Sequence, residues 1–195
     1  AEVVLTVGTD CSTGKMTASK ELALAATEAG YDAAMVPTGQ TGIMIENWGL
    51  PIDRVISDFA AGATERMILE KGAEYDYLFV EGQGSITHPA YSGVTLSILH
   101  GAMPDTLVLC HWTGRESIHS YDGFPLPPIR EYKDLYESVA RPVVESSVVA
   151  GMLHTGELES DAAARAAIEA YSNELGVPAT DPIRFDARDV LDAVL

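Results

Sequence analysis

The chain has 195 residues, 47% of them apolar, and carries 29 acidic against 12 basic side chains for a formal net charge of −17. The apolar share suits one packed domain and is too large for a disordered tail. So negative a surface repels nucleic acid and anionic membranes, which excludes both as expected partners. The carboxylates are scattered along the chain, as in a solvated, halophile-like coat and unlike a recognition tail. No apolar run approaches the roughly 20 residues that span a bilayer, and no leader pattern opens the sequence, so a cytoplasmic location is expected.

In chain order, Val3–Val7 reads as a buried strand. It leads into Gly8-Thr9-Asp10-Cys11-Ser12-Thr13-Gly14-Lys15-Met16-Thr17 and an Ala-rich helix over Met16–Ala29, stopped by Gly30. A strand, a glycine-bounded loop ending in Gly-Lys and a helix start together make a phosphate cradle. Backbone N–H groups turn inward, the helix presents its positive end, and lysine adds a cation. The cradle contacts are expected from Gly8, Thr9, Asp10, Ser12, Thr13, Gly14, Lys15, Met16 and Thr17. Two departures from the usual G-x-x-x-x-G-K-[ST] pattern stand out. Five residues separate Gly8 from Gly14, and Met16 stands where a hydroxyl would ligate Mg²⁺. Methionine cannot bind a hard cation, whereas Thr17 can still donate to a phosphate oxygen.

Further along, Asp32–Val36 reads as a second strand ending at Pro37, followed by a loop over 38–42. A helix over 59–70 closes at Gly72, and Tyr75–Val80 is a third strand ending at Glu81-Gly82-Gln83-Gly84. Strands over Thr106–Cys110 and Ser146–Ala150 follow, with helices over Arg130–Val139 and Asp161–Leu175. The Pro-rich stretch Phe124–Pro128 reads as a rigid loop near the site. Strands alternating with helices predict right-handed crossovers and a mostly parallel sheet covered on both faces. Ligands collect beyond the carboxyl ends of such strands, where loops 8–15, 38–42, 81–93 and 111–128 gather.

Glu81, at a strand end, and Asp58, before a helix, are candidate metal-holding carboxylates beside a polyphosphate. A strand-end cap and a helix N-cap are their plainer readings. His88 is a candidate general base, with an ordinary loop histidine as the alternative. Thr38, Gln40, Thr41, Gln83 and Ser85 are candidate substrate contacts, and Arg115 or Arg130 would take substrate carboxylates. Cys11 and Cys110 form no CxxC pair and read as reduced thiols. The histidines lack zinc-site spacing on a helix.

These residues resemble known families. Gly8-Thr9-Asp10…Gly14-Lys15 with Val80-Glu81-Gly82-Gln83-Gly84 looks like the dethiobiotin synthetase group of P-loop proteins. Asp10 stands where the partition ATPases carry their signature lysine, so the resemblance points away from those. Residues 8–17, Thr38–Gly42, Asp58-Phe59-x-x-Gly62-Ala63 and Glu81–Ser85 before His88-Pro89 look closer to a prokaryotic family catalogued as a domain of unknown function. Its members are described as similar to D-glutamate N-acetyltransferases. The resemblance implies a three-layer P-loop NTPase-like α/β domain over 1–195. It also implies that this is the C-terminal part of a longer chain with an N-terminal Rossmann-like domain. Two chemistries follow from it. ATP with Mg²⁺ held by Glu81 and Asp58 would activate a carboxylate, with Lys15 stabilising the transferring phosphate. Alternatively, acetyl-CoA would sit in the cradle and acetylate a small acidic amino acid, with His88 as base. A non-catalytic nucleotide-binding module is the third reading. Oligomeric state, a homo-oligomer included, is left open by the sequence.

Overall fold

A computed structural model describes residues 1–195. Six strands form one sheet: β1 (Glu2–Gly8), β2 (Ala33–Val36), β3 (Tyr77–Val80), β4 (Thr106–Trp112), β7 (Ser147–His154) and β8 (Ala179–Thr180). Their spatial order is β2-β3-β1-β4-β7-β8, and every neighbouring pair is parallel. Parallel neighbours need long crossovers, which helices supply: α1 (Lys15–Glu28), α2 (Gln40–Glu46), α3 (Ser57–Gly72), α4 (Ser92–Ala102), α5 (Ile129–Ala140) and α6 (Asp161–Leu175). Between α4 and α5 a small antiparallel hairpin, β5 (Ser117–Ile118) and β6 (Tyr121–Pro125), stands apart from the sheet. A last short helix, α7 (Leu191–Val194), ends the chain.

The alternation of β1 assigns the layers. Val3, Leu5 and Val7 face one core with Met67 of α3, Leu99 of α4, Tyr136 of α5 and Leu175 of α6. Val4 faces the other core with Leu22 and Ala26 of α1 and Leu191 of α7. Successive side chains of a strand point to opposite faces, so one apolar run serves both cores. The result is the three-layer P-loop NTPase-like architecture.

Several elements differ from the sequence reading. Residues 40–46 form α2 where a loop over 38–42 is expected, and α4 occupies a stretch with no predicted element. Phe124 and Pro125 of the Pro-rich stretch belong to β6. β7 runs on to His154, well past Ala150, and β8 adds an edge of only two residues. Close approaches then fix how the layers meet. A Cβ on Gly82 would stand 1.9 Å from the Thr6 carbonyl oxygen, and one on Gly101 of α4 would stand 2.2 Å from that of Ala61 on α3.

Candidate phosphate-binding site

The Thr9 amide continues the β1–β4 ladder by donating to the Cys110 carbonyl at 3.1 Å, and then the chain leaves the sheet. Ser12 (φ 56°) and Gly14 (φ 91°) adopt left-handed conformations that curl the loop round before α1 begins. The Lys15 ammonium lies inside that curl. It donates to the Asp10 carbonyl at 2.7 Å and to Thr13 Oγ1 at 3.3 Å. A Cβ on Gly8 would meet Thr13 Oγ1 at 2.6 Å and Lys15 Nζ at 2.8 Å, so only glycine leaves room for this arrangement. Burial lowers the Lys15 pKa below its ordinary value, with opposing pull from Cys110, Cys11, Asp10 and Glu81. A buried ammonium of this kind can pair with an anion.

Opposite the loop, Glu81 directly follows β3. Its Oε2 accepts the amides of Thr38 (3.1 Å) and Gly39 (3.0 Å), and Thr38 Oγ1 donates to the Glu81 carbonyl at 2.6 Å. Gly39 and Gly42 let the first turn of α2 close on the carboxylate, where a Cβ would come within 2.9 and 2.6 Å. Burial pushes the Glu81 pKa up, against the Gly39 and Thr38 amides and Lys15, which pull it down. Gln83 Nε2 donates to the Thr38 carbonyl at 2.5 Å. Between these elements lies a cleft of about 520 Å³, lined by the loop from Cys11 to Thr17, by Gly39–Thr41 and by Glu81–Gly84. Ser12, Thr13, Gly14, Lys15, Met16, Thr17, Gln40, Thr41, Glu81 and Gln83 all reach it. Met16 also packs on the α1-side core.

Other predicted residues lie elsewhere. The Asp10 carboxylate is buried behind the loop, accepting from Arg115 Nη1 (2.8 Å), the His119 amide (2.7 Å) and the Cys11 amide (2.7 Å). Arg115 also donates to the Cys11 carbonyl at 3.1 Å and lies over the Trp112 ring, so its charge is used inside the fold. His88 is 2% exposed, with its ring between those of Tyr91 and Tyr121. Its Nδ1 accepts the Ala90 amide at 3.1 Å, which puts the neutral proton on Nε2, 4.0 Å from Asp10 Oδ1. Asp10, Cys11 and His88 hold donor atoms within 4.8 Å of one another. A protonated Nε2 is a hydrogen-bond donor there and not a metal ligand. Thr9 Oγ1 pairs with His111 Nδ1 at 2.8 Å, and burial, with Arg115, lowers the His111 pKa to about 4.

Ser85 Oγ joins Thr87, which reaches the Tyr132 hydroxyl, so Ser85 braces the loop. Asp58 lines a second cleft with Trp48, Phe59 and Arg66, which Glu81 does not line. Arg130 is exposed on α5, outside the Glu81 cleft. Sequence reasoning missed His154, which lines the cleft from the end of β7. A strand drawn to Ala150 leaves His154 outside any element, and only the continued run Met152-Leu153 hints at its place.

The chain is 35% identical over 194 residues to a D-glutamate N-acetyltransferase of Tritonibacter scottomollicae, covering 97% of this chain and 57% of that one. It is 38% identical over 181 residues to a D-glutamate N-acetyltransferase of a Pseudoalteromonas species, covering 93% and 54%. The chain therefore spans little more than half the length of these curated relatives. Among solved structures, a DUF1611 family protein from Anabaena variabilis superposes with a TM-score of 0.96 at 43% identity, over all of this chain and 57% of that one. A cobyrinic acid a,c-diamide synthase from Mycobacterium smegmatis, with bound ATP analogue and magnesium, superposes with a TM-score of 0.61. At 10% identity, over 98% of this chain and 91% of that one, it shares the fold alone. The model of the P-loop domain of DUF1611, a domain of unknown function, matches residues 1–191, and the chain belongs to that family.

Proposed function

We propose that this domain is the cofactor-binding part of an enzyme that moves an acetyl group from acetyl-CoA to the amine of a small acidic amino acid. In this reading the loop 8–15 holds the CoA diphosphate and Glu81 takes the proton from the amine. The nitrogen then bonds to the thioester carbonyl carbon, the C–S bond breaks, and CoA leaves as the thiolate. The observation that carries the reading is the donor set of the cleft. It holds one cation, Lys15, and one carboxylate, Glu81, whose pKa is raised by burial, with Met16 in place of a hydroxyl. That set suits a diphosphate bound by amides and ammonium, together with a proton acceptor. The D-glutamate N-acetyltransferase relatives support the same class of acceptor. Their additional length makes the complete reaction a property to be tested in the longer proteins as well. A thiol-release assay with acetyl-CoA and D-glutamate should show turnover that Glu81→Gln lowers at least tenfold. Turnover unaffected by that substitution would remove Glu81 from the chemistry.

A second reading has one observation in its favour: Glu81 stands at a strand end beside the cradle with Oε1 free of hydrogen bonds within the chain. One carboxylate, waters and phosphate oxygens are an acceptable Mg²⁺ environment, and Glu81 would hold the ion beside ATP. The metal would neutralise charge on the phosphates. ATP binding that requires Mg²⁺ and is lost in EDTA would favour this reading over metal-independent CoA binding.

A further inference from the structure

We propose that Asp10 and Arg115 act as one positioning unit for the phosphate loop, an ion pair behind the cradle that aims its donors and Lys15 without touching the ligand. The inference rests on the reading that loop 8–15 holds a diphosphate, and it adds the residues that give the loop its shape. Every residue from Cys11 to Thr17 lines the cleft, whereas neither Asp10 nor Arg115 does. A carboxylate and a guanidinium on the far side of the loop act through the backbone they hold.

The Asp10 side chain is fully buried, and a buried carboxylate is tolerated only with strong donors around it. Here the donors come from three stretches of chain. Oδ1 accepts the Cys11 amide at 2.7 Å, while Oδ2 accepts Arg115 Nη1 at 2.8 Å and the His119 amide, from the β5–β6 turn, at 2.7 Å. The same Arg115 nitrogen donates to the Cys11 carbonyl at 3.1 Å, so one guanidinium ties the side chain of residue 10 to the backbone of residue 11. Both backbone groups of Cys11 are thereby fixed directly before the left-handed Ser12 (φ 56°). A residue other than glycine stays in that region when its surroundings hold it there.

On the cleft side the consequence falls on Lys15. The Asp10 carbonyl accepts Lys15 Nζ at 2.7 Å and Thr13 Oγ1 at 3.2 Å. With its carboxylate pinned, Asp10 presents that carbonyl in one direction, and the ammonium is placed with it. Arg115 is itself fixed, its guanidinium carbon 4.8 Å from the centre of the Trp112 ring and its amide closing on the Trp112 carbonyl at 3.2 Å. At the end of β4, His111 Nδ1 pairs with Thr9 Oγ1 at 2.8 Å, so the 111–119 stretch braces two consecutive loop residues. Donors held in place before the ligand arrives cost less to order when it binds.

Electrostatics alone and positioning predict opposite signs for Asp10. Removing a negative charge near an anion site strengthens anion binding by Coulomb's law, whereas removing a brace weakens it. In Asp10→Asn the side-chain amide must face either the Cys11 amide or the Arg115 and His119 donors, so hydrogen bonds are lost with almost no change of shape. Calorimetric titration of this chain with pyrophosphate reads the sign. Asp10→Asn and Arg115→Met should each weaken binding about tenfold, the size of one hydrogen bond to a charged group. The double variant should bind no more weakly than the weaker single variant, because the two side chains form one unit. Melting curves identify the folded proteins. Where Arg115→Met fails to fold, Asp10→Asn and the double variant, which buries no unpaired charge, carry the comparison. Tighter or unchanged binding in folded Asp10→Asn, or losses that add in the double variant, would overturn the unit and leave the phosphate reading standing. A parent chain that binds no pyrophosphate would overturn both.

Discussion

At the scale of single residues, burial moves the pKa values of Lys15 and Glu81 in opposite directions, each toward its neutral form. Lys15 is a cation buried among its own loop's oxygens, and burial lowers its pKa. An anion in the cleft favours the charged form, so diphosphate binding should weaken as pH rises toward the lysine range. Titrations repeated up that range should show the loss, and an affinity that does not fall would contradict it. Lys15→Ala should cost about 1.5–3 kcal/mol of diphosphate binding, the range for a hydrogen bond to a charged group. Glu81 has its folded pKa raised, chiefly by burial. Such a group adds stability that is fully present below the unfolded pKa and is lost as pH rises through the folded one. Glu81→Gln should therefore melt higher than the parent at neutral pH, and the difference should close in acid. A gap that widens in acid would show that the carboxylate is stabilised in the fold.

At the scale of elements, α3 and α4 touch at backbone distance. A Cβ on Gly101 would lie 2.2 Å from the Ala61 carbonyl oxygen and 2.8 Å from Thr64 Cβ. Neither neighbour is a flexible side-chain end, so Gly101→Ala should destabilise the domain by about 1–3 kcal/mol, the usual range for overpacking. Denaturant melts check this, and a neutral result would show that the two helices can part without cost. The same elements show how far sequence carries. The apolar runs of β1, β2, β3, β4 and β7 are legible because burial on both faces demands them, and the glycine loop because its motif is local. The helix α4, Ser-Gly-Val-Thr-Leu-Ser-Ile-Leu-His-Gly-Ala, was not legible. Its short apolar run carries β-branched residues and glycines, and it is helical because it packs on α3. Of the site, Lys15 and Glu81 were readable from their motifs. The placement of Arg115, His88 and Asp58 was not, since it depends on which loop folds behind the cradle. Arg115 pairs with Asp10, a contact across 105 residues that no local pattern encodes.

At the scale of the whole molecule, the charge of −17 on 195 residues with only four lysines sets the response to salt. Self-repulsion among scattered carboxylates is screened within about 10 Å at 0.1 M ionic strength and within about 3 Å at 1 M. The melting temperature should climb as KCl is raised from dilute buffer to molar concentration. A flat or falling curve would mean that the acidic coat does not strain the fold. No helix is long and apolar enough to cross a membrane.

In the proposed function the loop from Gly8 to Lys15 holds the diphosphate of acetyl-CoA without a metal. The decisive measurement is calorimetric titration of the chain with acetyl-CoA in EDTA, repeated on a folded Lys15→Ala protein. Binding in EDTA should be saturable at a single site and should fall at least tenfold in the variant. Acetyl-CoA binding that needs Mg²⁺, or that survives Lys15→Ala unchanged, would contradict it.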